Sequence, residues 1–314
     1  MKRVLVVSYS QSGQLIEVVK SLISPLHESD EIYIREVVLK PIPEYEFPWS
    51  FSKFINAFPE TVQLYPPEIA PLHLEDEEPF DLVILSYQVW YLSPSPPITA
   101  FLKSEEGKRL LNGKPVVTVI ACRNMWLVAQ ETVKKLLHES GAYLRDNVVF
   151  VDKTNFFVTL FTTPLWLMTG KKQPFSSLPP AGVSKEDIQG AKRFGDALVT
   201  ALKADKEKDD APMLKGLGAV FVDRSFIFGE RSIHRGFKVW SSFIHRVGKR
   251  GEGVRRALLI LFVIYLVLMV LVVLPISIVV RRVLTILLKK RLDELQKYYE
   301  QPSGSGRYDN KGDR

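Results

Sequence analysis

Up to about residue 203 the chain alternates short continuous apolar runs with longer stretches of helical period. The runs predict strands over 4–9, 31–39, 82–86, 116–122 and 148–152, and the periodic stretches predict helices over 14–26, 98–111, 127–141 and 184–203. Several strands are apolar at every position, as in a sheet covered on both faces. Strands interleaved with helices in this way predict an α/β body built on a doubly wound, mostly parallel five-stranded sheet.

Two insertions break the rhythm. Residues 40–72, "KPIPEYEFPWSFSKFINAFPETVQLYPPEIAPL", are rich in proline and aromatics, and 154–182, "TNFFVTLFTTPLWLMTGKKQPFSSLPPAG", in Phe, Leu and Trp. Connections of this length are usually functional. Either they add core packing, or they form an apolar cover over a pocket for a greasy substrate. Each follows a predicted strand, which places both at the carboxyl edge of the sheet.

The pattern changes after the charged segment "KADKEKDDAP". Residues 257–280, "ALLILFVIYLVLMVLVVLPISIVV", carry no charge and lie between Arg255-Arg256 and Arg281-Arg282. As a helix rising ~1.5 Å per residue this run is about 36 Å long, enough to cross a bilayer core and longer than an ordinary buried core helix. Just before it, Ile233, Phe237, Trp240, Phe243, Ile244 and Val247 form an apolar stripe among basic residues. That stripe suits an interfacial helix, or one packed on the main body. The expected organisation is a body at 1–203, a linker at 204–212, a basic amphipathic juxtamembrane segment at 213–256, and a transmembrane helix at 257–280. A basic amphipathic helix at 281–301 and a polar, disordered tail at 302–314 complete it.

Charge sharpens this division. Residues 1–212 hold 23 Lys+Arg against 27 Asp+Glu, whereas 213–301 hold 16 against 6. The excess positive charge is a C-terminal property, which points away from nucleic acid and toward the lipid bilayer as partner. Six Lys+Arg lie within 20 residues on either side of the apolar run, so the positive-inside rule does not orient it. "MKRVLVVSYSQ" turns polar after four apolar residues, unlike a secretory signal. The body is therefore expected in the cytoplasm, with the apolar run as a single-pass tail anchor or, bent at Pro275, as a re-entrant segment. A single cysteine excludes an internal disulfide and suits a reducing compartment.

The candidate chemistry begins at "VLVVSYSQSGQL". The first strand delivers Ser10, Gln11, Ser12 and Gly13 to the carboxyl edge, and a helix starts at Gln14 and Leu15. Free N–H groups and the dipole of a helix N-terminus favour an anion there, and Gly13 allows close approach. With no Lys or Arg in the loop, a phosphate monoester suits it better than a triphosphate; the Walker and dinucleotide patterns are absent. A plain N-cap by Ser12 is the alternative. Two further loops reach the same edge: "SYQVWYLSPSPPITAFL", with Gln88, Val89, Trp90, Tyr91 and Ser93, and "ACRNMWLVAQ", with Arg123, Asn124, Met125 and Trp126. Their flat faces and polar neighbours suit a planar heterocycle. No metal site is expected.

These loops resemble the flavodoxin-like FMN-binding family. Ser10, Ser12, Gly13 and Gln14 match its phosphate loop, [ST]-x-[ST]-G-x-[ST], except that Leu15 replaces the last hydroxyl; "VWYLSPSPPITAFL" is similar to the W-[YW]-x-x-P loop of flavodoxin-fold quinone reductases. The resemblance covers about residues 1–203 and implies FMN, with its phosphate at 10–15 and its ring against Trp90, Tyr91 and 123–126. "YSQSGQL", "FPWSF", "YQVWYLSPS", "RNMW" and "TGKK" further resemble the flavodoxin-like proteins of dialkylresorcinol biosynthesis clusters, labelled dialkylresorcinol condensing enzymes. Condensation on the ketosynthase pattern needs a nucleophilic cysteine with a supporting His or Asn. Cys122 stands at a strand end with no histidine near it in sequence. An aromatase role fits these residues better: oxidation of an alkyl cyclohexanedione to a resorcinol by FMN, near a membrane that holds the lipophilic substrate. No catalytic base is assigned, since His27, His73 and His138 read as surface residues. An NAD(P)H-dependent quinone reductase is a second expectation, with NAD(P)H as electron donor. The third is a flavin-free scaffold holding a ketosynthase or acyl carrier protein at the membrane. By family analogy a homodimer is also expected.

Overall fold

The computed structural model describes residues 1–75, 77–273 and 288–306. Five parallel strands form the central sheet: β1 (Lys2–Ser8), β2 (Ile32–Val38), β3 (Leu82–Tyr87), β4 (Pro115–Cys122) and β5 (Tyr143–Val151). Their order is β2-β1-β3-β4-β5. Val4 pairs with Ile34 on one side and Leu82 on the other, so the strand order reverses beside β1. This is the flavodoxin-like arrangement. The four central apolar positions of β1 and all of β3 are buried, as a sheet covered on both faces requires. β5 starts five residues before the expected strand, because a register shift opposite Val116/Val117 lets its polar beginning pair as well.

Helix α1 (Gln14–His27) buries Leu15, Val18, Val19, Leu22, Ile23 and Leu26 in the core, the i, i+3, i+4 spacing of an amphipathic helix. It packs against α9 (Lys192–Lys203) so closely that a Cβ at Gly195 would lie 1.9 Å from the Leu22 carbonyl oxygen. Short α2 (Phe51–Asn56) and α3 (Phe58–Gln63) form within the first insertion. The expected helix over 98–111 is two helices, α4 (Pro96–Lys103) and α5 (Glu105–Leu111). Ser104, extended at ψ 152°, ends the first and accepts the Gly107 N–H of the second at 2.9 Å. Then follow α6 (Leu127–Glu139), α7 (Phe156–Thr169) and α8 (Lys185–Gly190). Right-handed crossovers put α1 on one face of the sheet and α4 to α6, which wind the other way, on the opposite face.

The body does not end at residue 203. Leu214, Ala219, Val220 and Val222 are buried in the main core, and the Val149 N–H of β5 donates to the Ala219 carbonyl at 2.9 Å. Asp146 accepts from the N–H groups of Met213 and Leu214, so the expected juxtamembrane segment begins as a cover over the β5 edge. The basic amphipathic helix exists as α10 (Ile227–Val247), and part of its stripe faces protein. Phe237 and Ile244 pack with Phe58 of α3 and with Leu259 and Phe262 of α11 (Gly253–Leu268) in a second core. The packed reading holds for Phe237 and Ile244, which α3 and α11 cover, whereas Phe243 and Val247 of the same stripe stay exposed.

Helix α12 (Lys289–Glu300) returns to the body, burying Leu292, Gln296 and Tyr299. The chain after it is not a loose tail as far as residue 306: Ser303 is buried and donates to Asp146 at 2.8 Å. The last seven residues of the expected apolar span, Pro275 included, the first seven of the expected basic helix at 281–301, and the last eight of the expected tail lie outside the described residues.

Candidate functional site

The three loops converge at the carboxyl edge, where the strand order reverses. They enclose a cavity of about 170 Å³ lined by Gln11, Ser12 and Gln14 from the first loop, Gln88 to Tyr91 from the second, and Cys122 and Arg123 from the third. Gly13 caps α1 with φ +82°, and a Cβ built on it would meet nothing within 4 Å, so space lies open before the helix N-terminus. Ser10 Oγ accepts the Leu15 N–H at 3.2 Å, fixing the turn. Ser12 makes no cap to the helix, which excludes the plain N-cap reading. The Leu15 side chain is fully buried in the core and contributes an apolar patch to the cavity wall where the family pattern has a hydroxyl.

The cradle is rigid. The Gln11 N–H donates to Gln88 Oε1 at 2.8 Å, joining the first loop to the second, and Gln11 Nε2 donates to the Glu46 carbonyl at 2.6 Å. The Tyr9 hydroxyl donates to Gln11 Oε1 at 2.5 Å. Gln14 exchanges two hydrogen bonds with the Val183 backbone, at 2.9 and 3.1 Å, which holds the end of the second insertion against the loop. Asp152 pins that insertion at both ends by accepting from the Thr154 and Gly182 N–H groups.

Trp90 stands half-buried in an aromatic box, edge-on to Tyr9, Tyr45 and Trp49 at centroid distances of 6.0, 5.1 and 5.1 Å. Tyr91 has φ +50° and donates its hydroxyl to the Phe54 carbonyl at 2.6 Å. Burial holds that hydroxyl protonated, with its pKa well above the usual tyrosine value. Ser93 is buried in a two-residue ladder with Trp90, where it shapes the second loop from behind.

Trp126 corrects an expectation. It is 4% exposed and packed in the main core, so it offers no free stacking face to a ligand at the loops. Met125, at φ +44°, makes the turn that sends Trp126 inward. Asn124 and Met125 do not line the loop cavity; they line two neighbouring ones. Arg123 remains at the centre. Its guanidinium lies 4.9 Å from the Phe156 ring, and its Nε is buried without a hydrogen-bond partner among the described residues. Burial lowers its pKa to about 10, which still leaves it charged near neutrality.

Sequence reasoning located the cover and missed its polar residue. Trp49 and Phe54 from the first insertion, with Thr163, Trp166 and Leu167 from α7, close the cavity, and the Trp49 N–H donates to the Leu167 carbonyl at 2.8 Å. Thr163 Oγ1 is a second buried oxygen without a partner among the described residues. Only its place among aromatics in an unusually long connection could have drawn attention to it. Glu230 of α10 was also missed. It is fully buried beside the third loop, accepts the Val128 N–H at 2.7 Å, and is pushed up to about 7 by burial, against the lowering effect of the Val128 and Leu127 amides. Its signal was hidden, because one acid on a basic amphipathic stretch reads as solvated.

Cys122 lines the loop cavity, and burial together with the nearby Glu230 carboxylate raises its thiol far above the ordinary range. No carboxylate or imidazole lines that cavity among the described residues. His27, His73 and His138 are exposed, as expected, and no metal-binding cluster of His, Cys, Asp and Glu exists among the described residues.

No family model matches the chain, and no curated protein matches it. Among solved structures it is similar to a flavoprotein from Lactobacillus acidophilus NCFM determined in complex with FMN, at 18% identity over 48% of this chain and 93% of that one, with a TM-score of 0.37. Oxidised flavodoxin 1 from Bacillus cereus is similar at 16% identity over 63% and 98%, TM-score 0.34. A flavodoxin, WrbA-like protein from Agrobacterium tumefaciens is similar at 11% identity over 66% and 100%, TM-score 0.38.

Proposed function

We propose that this chain is a membrane-associated FMN oxidoreductase that aromatises an alkyl cyclohexanedione to an alkyl- or dialkylresorcinol. The observation that carries the reading is the convergence of three loops on one covered cavity where Arg123 Nε and Thr163 Oγ1 are buried and unpaired. A buried polar atom without a partner costs about 1–3 kcal/mol, and a ligand that supplies the missing bond removes that cost. The residues fit FMN: an open glycine turn at a helix N-terminus for the phosphate, and an aromatic box with polar edges for the ring.

When bound there, FMN would supply a two-electron oxidant. Ser10 to Gln14 would hold the phosphate, and Gln88 to Tyr91 and Arg123 would flank the ring. The Arg123 guanidinium also stabilises negative charge on a dione oxygen, which acidifies the ring C–H beside the carbonyl. With no carboxylate or imidazole on the cavity wall, that proton leaves to water. In that arrangement the substrate would lose a hydride equivalent and a proton, the two-electron oxidation being the chemistry FMN would supply, with dioxygen, reduced to hydrogen peroxide, as the terminal acceptor in air. The high thiol pKa of Cys122 argues against a condensing role, because the thiolate is the nucleophile. The likeness of the loops to dialkylresorcinol-cluster proteins supports the substrate class.

Membrane attachment is part of the proposal. Gly253–Val272 is a helix long and apolar enough to cross a bilayer, and Ile260, Leu261, Ile264, Val267 and Leu268 on it are exposed. Phe157 and Phe161 of α7 add exposed apolar surface. Arg255 at the start of α11 is fastened to α2 and α3, and α12 with Ser303 is fastened to the body. Residues 257–288 number 32, fewer than the roughly 40 needed to cross a bilayer and return. The proposed attachment therefore leaves and re-enters the same face of the bilayer.

The test mixes the full chain in detergent with FMN and a dialkylcyclohexanedione in air. Flavin absorption bands on the purified protein and resorcinol formation are expected. Bound flavin without resorcinol would remove the aromatase reading, and NADPH oxidation with a ubiquinone analogue in its place would favour a quinone reductase. A colourless protein that takes up no FMN would remove both.

A further inference from the structure

Beside the loop cavity lies a second one of about 270 Å³, and the two share a wall made by Val89, Tyr91, Cys122 and Arg123. Arg123 is the only charged residue on the second cavity's lining among the described residues. At the far end the wall is Leu266, Met269 and Val270, contributed by the apolar helix whose other face is exposed. Phe156 and Leu160 of α7 close one side, and Ile233 and Phe237 of α10 the other. An apolar slot thus runs from the proposed bilayer-facing helix to a buried, unpaired guanidinium nitrogen.

From this geometry we infer that the slot is the binding site for one alkyl chain of a membrane-borne amphiphile, which enters past Leu266, Met269 and Val270 and leaves its polar head at Arg123. The inference rests on the proposed function for the identity of that head, a cyclic dione, and adds the route and the chain-binding residues. The apolar lining selects a hydrocarbon, and the position of Arg123 at its inner end selects a head with an oxygen able to accept a hydrogen bond or bear negative charge. A chain lying between α7, α10 and α11 would not leave the bilayer entirely, because the helix that walls the slot is itself the proposed membrane element. The slot explains why the flavin-type loops, the second insertion and the apolar helix meet at one place.

The experiment uses the full chain in lipid nanodiscs and a resorcinol with a terminal diazirine on its alkyl chain as the probe, a readout that needs no turnover. Photolabelling is expected on Leu160, Leu266, Met269 or Val270, and affinity should rise about fourfold for each methylene added until the slot is full, the value of burying one CH₂ group. Leu160→Trp fills the slot and should abolish both the labelling and the chain-length dependence while flavin absorption is unchanged. If Leu160→Trp lowers the helical circular dichroism signal, Val270→Trp on the partly exposed side of the slot takes its place. Labelling confined to Ile264, Leu268 and Leu271 on the outward face would overturn the slot while leaving the flavin reading intact. Slot labelling of a protein that takes up no FMN would sustain the slot and remove the redox function.

Discussion

The Arg255 guanidinium donates to the Glu60 carboxylate across 2.8 Å, fastening the first turn of the apolar helix to α3 in the first insertion. It also donates to Asn56 Oδ1 at 2.7 Å and to the Asn56 carbonyl at 3.0 Å, and is almost wholly buried. Removing one partner of a buried pair costs about 3–5 kcal/mol, because the other charge is left uncompensated. Arg250 and His245 also face Glu60 and temper that loss, so Arg255→Leu is expected to cost about 3 kcal/mol in denaturant unfolding and to expose 248–256 to trypsin. Burial pushes Glu60 upward, but Arg255 and Arg250 outweigh it and hold the carboxyl below its ordinary value. Its contribution is therefore present above the ordinary carboxylate range and lost as pH falls through the lowered value, so α11 should loosen on acidification. Unchanged trypsin resistance in Arg255→Leu would refute this anchoring role.

Gly13 sits at φ +82° with open space where a side chain would point. A valine there would carry about 1–3 kcal/mol of backbone strain and would project into the space assigned to the phosphate. Gly13→Val is expected to weaken FMN retention at least tenfold, read by fluorescence titration, while far-ultraviolet circular dichroism keeps its native shape. Retention equal to the parent would place the phosphate elsewhere.

Glu230 is raised from 4.5 to about 7 in the folded chain by burial. A group that binds its proton more tightly when folded makes stability fall as pH rises between the two values. Glu230→Gln keeps an oxygen for the Val128 N–H and removes the titration. At pH 8 the variant should be more stable by roughly 3 kcal/mol, and below pH 4.5 the two proteins should match. A constant difference across that range would show that Glu230 does not titrate as described.

Topology can be read with single cysteines once Cys122, a half-buried thiol on the cavity wall, is replaced by Cys122→Ser. Arg250→Cys and Lys290→Cys lie on exposed positions flanking the apolar segment. In sealed vesicles a membrane-impermeant maleimide should reach both from the same side. Opposite sidedness would mean a single crossing and would require α12 to leave the body.

The strands were legible because β1, β3 and β4 are buried on both faces and so read as continuous apolar runs. The polar start of β5 carries no such signal, since Asp146 is satisfied by Met213, Leu214 and Ser303 from distant sequence. The stripe of α10 was visible as a period, but what covers it was not: an amphipathic helix has the same pattern whether protein or lipid lies against it. Trp90 and Trp126 read alike in sequence, each aromatic at a strand end. Only the backbone turn at Met125 sends the second into the core.

By itself the sequence determined the α/β alternation, the glycine turn after the first strand, the two aromatic insertions and the apolar segment, because each is a local pattern of burial or backbone freedom. Tertiary structure decided what those patterns meet. It brought Thr163 and Arg123 into one cavity, set Glu230 behind the third loop, and returned Ser303 to Asp146. Unpaired buried atoms, shared cavity walls and long-range ion pairs exist only between segments far apart in the chain, and a one-dimensional pattern does not contain them.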